Sequence, residues 1–143
     1  MAIKLKTKMT VDTLNEICKN SLIDHLGIVF TDISKKKIKA TMPVDNRTRQ
    51  PLGLLHGGAI MALVETVGSA GSYCIIDQEK YDVVGIEING NHVKNTDCNE
   101  VYAIGELLHK GSRTHVWSVT VFDANNIPLS YCRITNMIIE KKS

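Results

Sequence analysis

Apolar and polar residues alternate through most of the second half of the chain, which predicts β-strands there. In residues 83–94, Val84, Ile86 and Ile88 occupy one face of the expected strand and polar residues occupy the other. Three further strand-like segments follow, separated by short turn-forming sequences: residues 100–111, 114–123 and 127–140. Strands joined by such short turns favour an antiparallel meander.

The first half of the chain carries two short helical patterns and then a hairpin pattern. Thr10 and Ser21 are expected N-caps, so residues 1–25 are predicted to form a short N-terminal helical segment. Residues 26–33 and 37–42 are rich in β-branched side chains and flank a polar turn. They predict two more strands, which gives about six strands in the whole chain.

Between these two halves, from residue 57 to about residue 73, small residues alternate with aliphatic ones and no fully polar face remains. This pattern predicts a long helix that is buried on nearly all sides. Glu65 is the one formally charged residue between Arg49 and Asp77. Because a buried carboxylate is costly unless other groups compensate it, its presence in such a segment indicates a chemical role.

One long helix and about six mostly antiparallel strands predict an α+β fold in which the sheet curls around the helix. The chain of 143 residues fits a single domain, residues 1–143. Its net charge of +2 does not indicate a nucleic-acid partner. No apolar run reaches the roughly 18 residues of a membrane span, and the N-terminus lacks the apolar stretch of a signal peptide. A cytoplasmic protein with no membrane partner is therefore expected.

Metal chemistry is not indicated either. The candidate ligands His56, Glu65, His92 and His109 follow no recognised spacing, and the four cysteines form no CxxC pair. A serine hydrolase is also not indicated, because the GxSxG motif is absent. We therefore expect neither a metal nor another cofactor.

The start of the predicted helix is a second candidate element of a site. The first backbone N–H groups of a helix lack intrahelical acceptors, so a carbonyl oxygen bound at Gly57 would be polarised. The alternative, that glycine here only lets the helix begin in a confined place, stays open on spacing alone. His56 and Gln50 are polar groups near this junction, and Ser69 lies one turn from Glu65.

Gly57 and Glu65 are too far apart to serve one site within a chain. Eight residues of helix correspond to about 12 Å, whereas a base or nucleophile must come within about 3 Å of its target. Two antiparallel helices across a twofold axis would place each Glu65 beside the partner's helix start. The sequence therefore predicts a homo-oligomer with its sites between subunits.

The run QPLGLLHGG at residues 50–58, followed by ALVETVGS at residues 62–69, resembles the hotdog-fold acyl-CoA thioesterases. The resemblance is to the branch acting on aromatic acyl-CoAs, such as the 4-hydroxybenzoyl-CoA, 1,4-dihydroxy-2-naphthoyl-CoA and phenylacetic-acid-pathway thioesterases. It spans nearly the whole chain after about residue 25. It implies a long helix wrapped by a curled sheet, subunit pairs that usually form a dimer of dimers, and no cofactor, since CoA is part of the substrate.

The resemblance also implies roles for individual residues. Glu65 would be the nucleophile or general base, and the Gly57 N–H would polarise the thioester carbonyl. Gln50 and His56 would help to position that carbonyl, and Ser69 would orient the attacking water or Glu65. The residues that match the family's CoA contacts are Gly85, His92, Val93, Lys94, Asn95, His109, Lys110, Gly111, Ser112, Arg113 and Thr114.

Three functions remain open at this point. Hydrolysis of an acyl-CoA thioester to a free acid and CoA is the leading interpretation, and the alternatives are an acyl-thioester hydratase or dehydratase and a non-catalytic acyl-CoA-binding module. The identity of the acyl group also stays open, because a single methylene or hydroxyl changes discrimination by only about 1–3 kcal/mol. For Lys94, Lys110 and Arg113, ordinary solvated turn charges are an equal alternative to CoA contacts.

Overall fold

The computed structural model describes residues 9–34 and 37–142, and its helices and strands follow the predicted order. In chain order they are α1 (Val11–Ile17), α2 (Leu22–His25), β1 (Val29–Ile33), β2 (Ile38–Pro43), α3 (Gly57–Tyr73), β3 (Tyr81–His92), β4 (Glu100–Lys110), β5 (Thr114–Asp123) and β6 (Pro128–Glu140). The six strands and the limits of the long helix are confirmed. Residues 1–8 of the predicted N-terminal segment and residues 35–36 of the first turn lie outside the described residues. No helix in the described ranges is long and apolar enough to cross a membrane.

The two predicted N-caps behave differently. The Thr10 hydroxyl accepts a hydrogen bond from the Thr13 N–H at 3.1 Å, which confirms it as the cap of α1. Ser21 precedes α2 in an extended conformation, but its side chain forms no capping hydrogen bond. Ser21 therefore occupies the predicted N-cap position of α2, but its side chain does not cap the helix.

The six strands form one antiparallel sheet in the order β1-β2-β4-β5-β6-β3. The predicted meander is thus confirmed as β4, β5 and β6, and β3 lies at the edge beyond β6. The helix α3 contacts every strand from β2 to β6, so the sheet wraps around it as expected. Between them lie fully buried side chains that include Leu63, Val67, Trp117 and Ile134.

A β-bulge in β3 overturns the predicted faces of that strand. The pairing of β3 with β6 runs through Gly85 opposite Asn136 and then skips to Glu87, so Ile86 is an extra residue. Because one inserted residue reverses the alternation, Val84 and Ile86 are exposed, whereas Ile88 packs against the core. The prediction that all three share one face is therefore wrong.

The burial predicted for α3 is also wrong for one side of the helix. The side facing the sheet is buried, but the opposite side, which carries Gly58, Met61 and Glu65, is exposed or half-buried. The sheet covers only one side of a helix, and the short α1 and α2 leave the other side open to a cavity. Glu65 is consequently exposed within a single chain.

Candidate active site

Two cavities on different sides of the α3 start are lined by four of the five predicted catalytic residues. The fifth, His56, lines neither of them. The helix-side cavity, about 770 Å³, lies between α3 and the N-terminal helices and is lined by residues that include Glu65 and Ser69. The loop-side cavity, about 400 Å³, lies between the loop before α3 and the end of β3 and is lined by residues that include Gln50 and Gly57. The structure thus separates Glu65 from Gly57 within one chain.

The start of α3 leaves one backbone donor unused. His56 is the N-cap, and its Nδ1 accepts a hydrogen bond from the Gly58 N–H at 2.7 Å. The N–H groups of Ala59 and Ile60 bond to the His56 carbonyl at 3.0 and 3.1 Å. Among the described residues, none accepts a hydrogen bond from the Gly57 N–H. This N–H therefore lies at the positive end of the helix, free to bind an oxygen.

His92 explains why residue 57 must be glycine. A Cβ at Gly57 would lie 2.8 Å from His92 Nε2, so a larger residue would collide with the imidazole. His92 Nδ1 lies 2.8 Å from the hydroxyl of the fully buried Ser130, which fixes the ring. The segment predicted to contact CoA is thereby placed beside the predicted oxyanion donor.

Gln50 is held by its own turn. Its side-chain Oε1 accepts a hydrogen bond from the Leu52 N–H, and its backbone N–H donates to the Leu54 carbonyl at 2.8 Å. The amide therefore stands at the wall of the loop-side cavity, close to Gly57 but separated from Glu65.

Glu65 faces β3 at the position of Gly85. A Cβ at Gly85 would lie 2.6 Å from Glu65 Oε1, so a side chain there would move the carboxylate from this position. Within residues 9–34 and 37–142, Glu65 forms no hydrogen bond and no ion pair. The structure therefore places Gly85, expected from the resemblance to contact CoA, against the carboxylate, which is free to accept a proton or attack a carbonyl.

Ser69 lines the same cavity as Glu65, one turn further along the helix. Among the described residues its hydroxyl forms no hydrogen bond with Glu65 and lies 3.4 Å from Asn136 Oδ1 on β6. Sequence reasoning missed Asn136 because its partners lie about 64–68 residues away in the chain. The signal that was available is an asparagine in an otherwise apolar strand segment, ITNMII.

The two segments predicted to contact CoA lie at opposite ends of the sheet. Residues 92–95 line the loop-side cavity, where His92 pairs with Ser130 of β6. The β4–β5 turn at residues 109–114 lies near Met137 of β6, which pairs with Thr114. Seven residues along a strand correspond to about 23 Å. One chain therefore does not bring the two segments together.

His115 lies on β5 opposite Asn136, and one nitrogen of its buried ring lacks a hydrogen-bond partner among the described residues. The residue is 2% exposed, and among the described residues its Nδ1 is a buried nitrogen with no hydrogen-bond partner. Burial, with smaller contributions from the positive charges of Lys110 and His109, lowers the pKa of His115 from 6.5 to about 4. The imidazole is therefore neutral at neutral pH.

This shift predicts a loss of stability in acid. Between pH about 6.5 and 4 the unfolded chain binds a proton that the folded chain does not, so the free energy of unfolding should fall by about 3 kcal/mol as the pH drops through that window. Denaturant unfolding at pH 7.5 and 4.5 measures it. His115→Gln should remove this part of the pH dependence, whereas His25→Gln, at an exposed position, should keep it. An equal fall in all three proteins would contradict the assignment.

The described residues contain no group of three His, Cys, Asp or Glu side chains that could hold a metal ion. The residues that line the two cavities instead include a set of four groups: the Gly57 backbone donor, the Glu65 carboxylate, the Ser69 hydroxyl and the His92 imidazole. Such a set is suited to acyl transfer, in which a donor stabilises a developing oxyanion and a carboxylate handles the proton or attacks the carbonyl.

Comparison with known proteins agrees with this chemistry. The sequence pattern of the thioesterase superfamily matches residues 52–128. The chain is 40% identical over 134 residues to the 1,4-dihydroxy-2-naphthoyl-CoA hydrolase of Escherichia coli, covering 94% of this chain and 98% of that protein.

Solved structures agree with the sequence comparison. A variant of a Pseudomonas aeruginosa thioesterase superposes with a TM-score of 0.93 at 37% identity, covering 96% of this chain and all of that chain. A Haemophilus influenzae thioesterase gives a TM-score of 0.91 at 37% identity, with 95% and 94% covered. The predicted hotdog fold, with its long helix and six-stranded sheet, is confirmed by these neighbours.

Proposed function

The chain belongs to the thioesterase superfamily and is a thioester hydrolase, and from that premise we propose that it hydrolyses acyl-CoA thioesters to a free carboxylic acid and CoA. The E. coli relative is named for the hydrolysis of an aromatic acyl-CoA. In the proposed site the Gly57 N–H of one subunit binds the thioester carbonyl, and Glu65 of a second subunit acts on it.

The observation that carries this proposal is the separation of the two groups. Gly57 opens into the loop-side cavity and Glu65 into the helix-side cavity, although both lie on one helix. The face of α3 beside Glu65 is open, and a second subunit packed on it would complete the site. Pairing two chains about a twofold axis would make two equivalent sites, and a dimer of dimers would contain four.

The chemistry of such a site requires a donor, a base or nucleophile, and a leaving thiol. The Gly57 N–H would stabilise the oxyanion that forms when the carbonyl carbon is attacked. Glu65 would either take a proton from the attacking water or attack first, forming an anhydride that water then cleaves. In both cases the C–S bond breaks, and CoA leaves as a thiol after gaining a proton.

The residues that line the two cavities support a proposal for where the CoA part and the acyl part of the substrate bind. The loop-side cavity contains His92, Lys94 and Asn95, and no carboxylate lies within 4.0 Å of Lys94 among the described residues. The Lys94 ammonium, whose charge also interacts with that of Asp123, would attract the anionic CoA. The β4–β5 turn lies at the Glu65 end of the sheet, because Thr114 and Val84 pair with the same residue of β6. The subunit that supplies Glu65 would therefore also bring residues 109–114 to the CoA.

The acyl group would enter the helix-side cavity. Its volume of about 770 Å³ and its mainly aliphatic walls, including Met61 and Val83, suit a bulky apolar group better than an acetyl group. We therefore expect aromatic and medium-chain acyl-CoAs to be hydrolysed with a kcat/KM of about 10⁴ M⁻¹ s⁻¹ or more, and acetyl-CoA much more slowly.

Thiol release measured with DTNB across aromatic, short-chain, medium-chain and long-chain acyl-CoAs tests this expectation. An acyl-carrier-protein thioester belongs in the same panel, because preference for it would reassign the carrier without changing the reaction. Incubation with an enoyl-CoA, while the enoyl absorbance is followed, distinguishes hydration from hydrolysis. Tight binding of CoA esters with no thiol release from any substrate would contradict the proposal.

A further inference from the structure

The residue beneath Ser69 is Asn136, and the structure fixes how its amide is oriented. Asn136 is fully buried on β6. Its Nδ2 lies 3.0 Å from the Gly68 carbonyl and 3.0 Å from Ser72 Oγ. A backbone carbonyl can only accept a hydrogen bond, so the nitrogen of the amide must face Gly68 and its oxygen must face Ser69.

Ser72, the second partner of the amide nitrogen, can donate as well as accept, so it does not by itself choose this orientation. The indole Nε1–H of the fully buried Trp117 donates to Ser72 Oγ at 2.8 Å. Ser72 thus joins Trp117 of β5 and Asn136 of β6 to the back of α3, and the three side chains are fully buried. Rotation of the Asn136 amide would place its oxygen against the Gly68 carbonyl, so one orientation is strongly favoured.

The consequence concerns the single proton of the Ser69 hydroxyl. Asn136 Oδ1 is an acceptor 3.4 Å from Ser69 Oγ, so the hydroxyl donates its proton toward β6 and away from the helix-side cavity. Its lone pairs then face the helix-side cavity, which Glu65 also lines. Ser69 is therefore an acceptor toward the cavity, and it is not a donor to Glu65.

Resting on the function proposed above, we propose that Asn136 is a positioning residue that makes Ser69 an acceptor for the attacking water. That water gives one proton to the Glu65 carboxylate and directs the other to Ser69 Oγ, so its lone pair points at the thioester carbon. The new C–O bond forms as the proton moves to Glu65, and the C–S bond then breaks with CoA taking a proton. This arrangement assigns Glu65 the role of general base.

Gly85 adds a second reason to place the water here. The position of its missing Cβ lies 2.6 Å from Glu65 Oε1 and 3.8 Å from Asn136 Oδ1. The carboxylate and the amide thus border the same gap in β3, directly below Ser69's helix turn. A side chain at this position would displace the groups that orient the water.

A double-mutant cycle tests the proposal. Asn136→Ala should lower kcat about tenfold to a hundredfold with KM within about twofold, because a misdirected water costs rate and not binding. If Asn136 acts through Ser69, the double variant Ser69→Ala/Asn136→Ala should be no slower than Ser69→Ala alone. Losses that multiply in the double variant, or an unchanged kcat in folded Asn136→Ala, would overturn the proposal.

Ser72→Ala is the matched control. It removes the hydrogen bonds that Trp117 and Asn136 donate to Ser72, but it leaves those of Asn136 with the Gly68 carbonyl and with Ser69. Its melting temperature should fall while its kcat stays within about threefold of the wild type. A kcat loss as large as that of Asn136→Ala would mean that general loosening of α3, and not Ser69, explains the effect.

The double-mutant cycle also needs a replacement variant and a defined choice of substrate. Asn136→Thr suits a β-strand and lacks the carbonyl acceptor, so it replaces the alanine variant if that variant does not fold. The rates are measured with whichever thioester the substrate panel identifies, whether or not its carrier is CoA. Failure of the acyl-CoA assignment therefore shows in the panel, whereas failure of the Asn136 assignment shows in the coupling between the two residues.

Discussion

Replacing Glu65 by glutamine should lower kcat by about a hundredfold to ten-thousandfold while changing KM only slightly. The amide has nearly the same shape as the carboxylate, but it neither takes a proton from water nor attacks a carbonyl. Glu65 is exposed and unpaired among the described residues, so the substitution should cost little stability. Thiol release from the best substrate measures the loss, and a thermal melt and size-exclusion chromatography check the fold and assembly.

Glu87→Gln provides the control for the loss of one negative charge. Glu87 is an exposed carboxylate on β3 that accepts a hydrogen bond from Asn89 and lines neither cavity. Its replacement should leave kcat unchanged. If Glu65→Gln keeps more than about a tenth of the wild-type kcat, Glu65 is neither the base nor the nucleophile.

The elements that could be predicted from the sequence are those set by local patterns. The helix limits at Gly57 and Tyr73 follow from a run of small and aliphatic residues that ends before polar sequence. The strands of the meander follow from alternation interrupted by turn residues. Both signals lie within about ten to twenty neighbouring residues, so no tertiary information is needed to detect them.

The features that escaped prediction depend on contacts between distant segments. The bulge at Ile86 reverses the faces of β3. Gly85 beside it is a residue that often accompanies bulges, but the alternation of the sequence alone predicts a regular strand. Asn136 acquires its orientation from the Gly68 carbonyl and the Ser69 hydroxyl, which belong to another element. The exposure of Glu65 depends on what covers the open face of α3, and residues 9–34 and 37–142 do not supply that cover.

A test of the two-subunit site needs a variant that lacks the Gly57 N–H, with a second variant that shows the effect of the added side chain. Gly57 is the first residue of α3, where proline is tolerated, and His56 has the extended backbone (φ −71°, ψ 129°) that proline requires before it. Gly57→Pro should lower kcat about a hundredfold to a thousandfold. Gly57→Ala adds the same Cβ next to His92 but keeps the N–H, so it measures the steric part of the loss.

Mixing the two inactive variants should restore activity. In an assembly with one Glu65→Gln subunit and one Gly57→Pro subunit, one site has an intact Glu65 opposite an intact Gly57, and the other site has neither. With random pairing from equal amounts, about 25% of the wild-type activity should return after co-refolding. Gly57→Pro mixed with a chain carrying both substitutions contains no intact pair and should stay inactive. If each Glu65 instead served the Gly57 of its own chain, neither mixture would recover, and the activity would remain at the level of the separate variants.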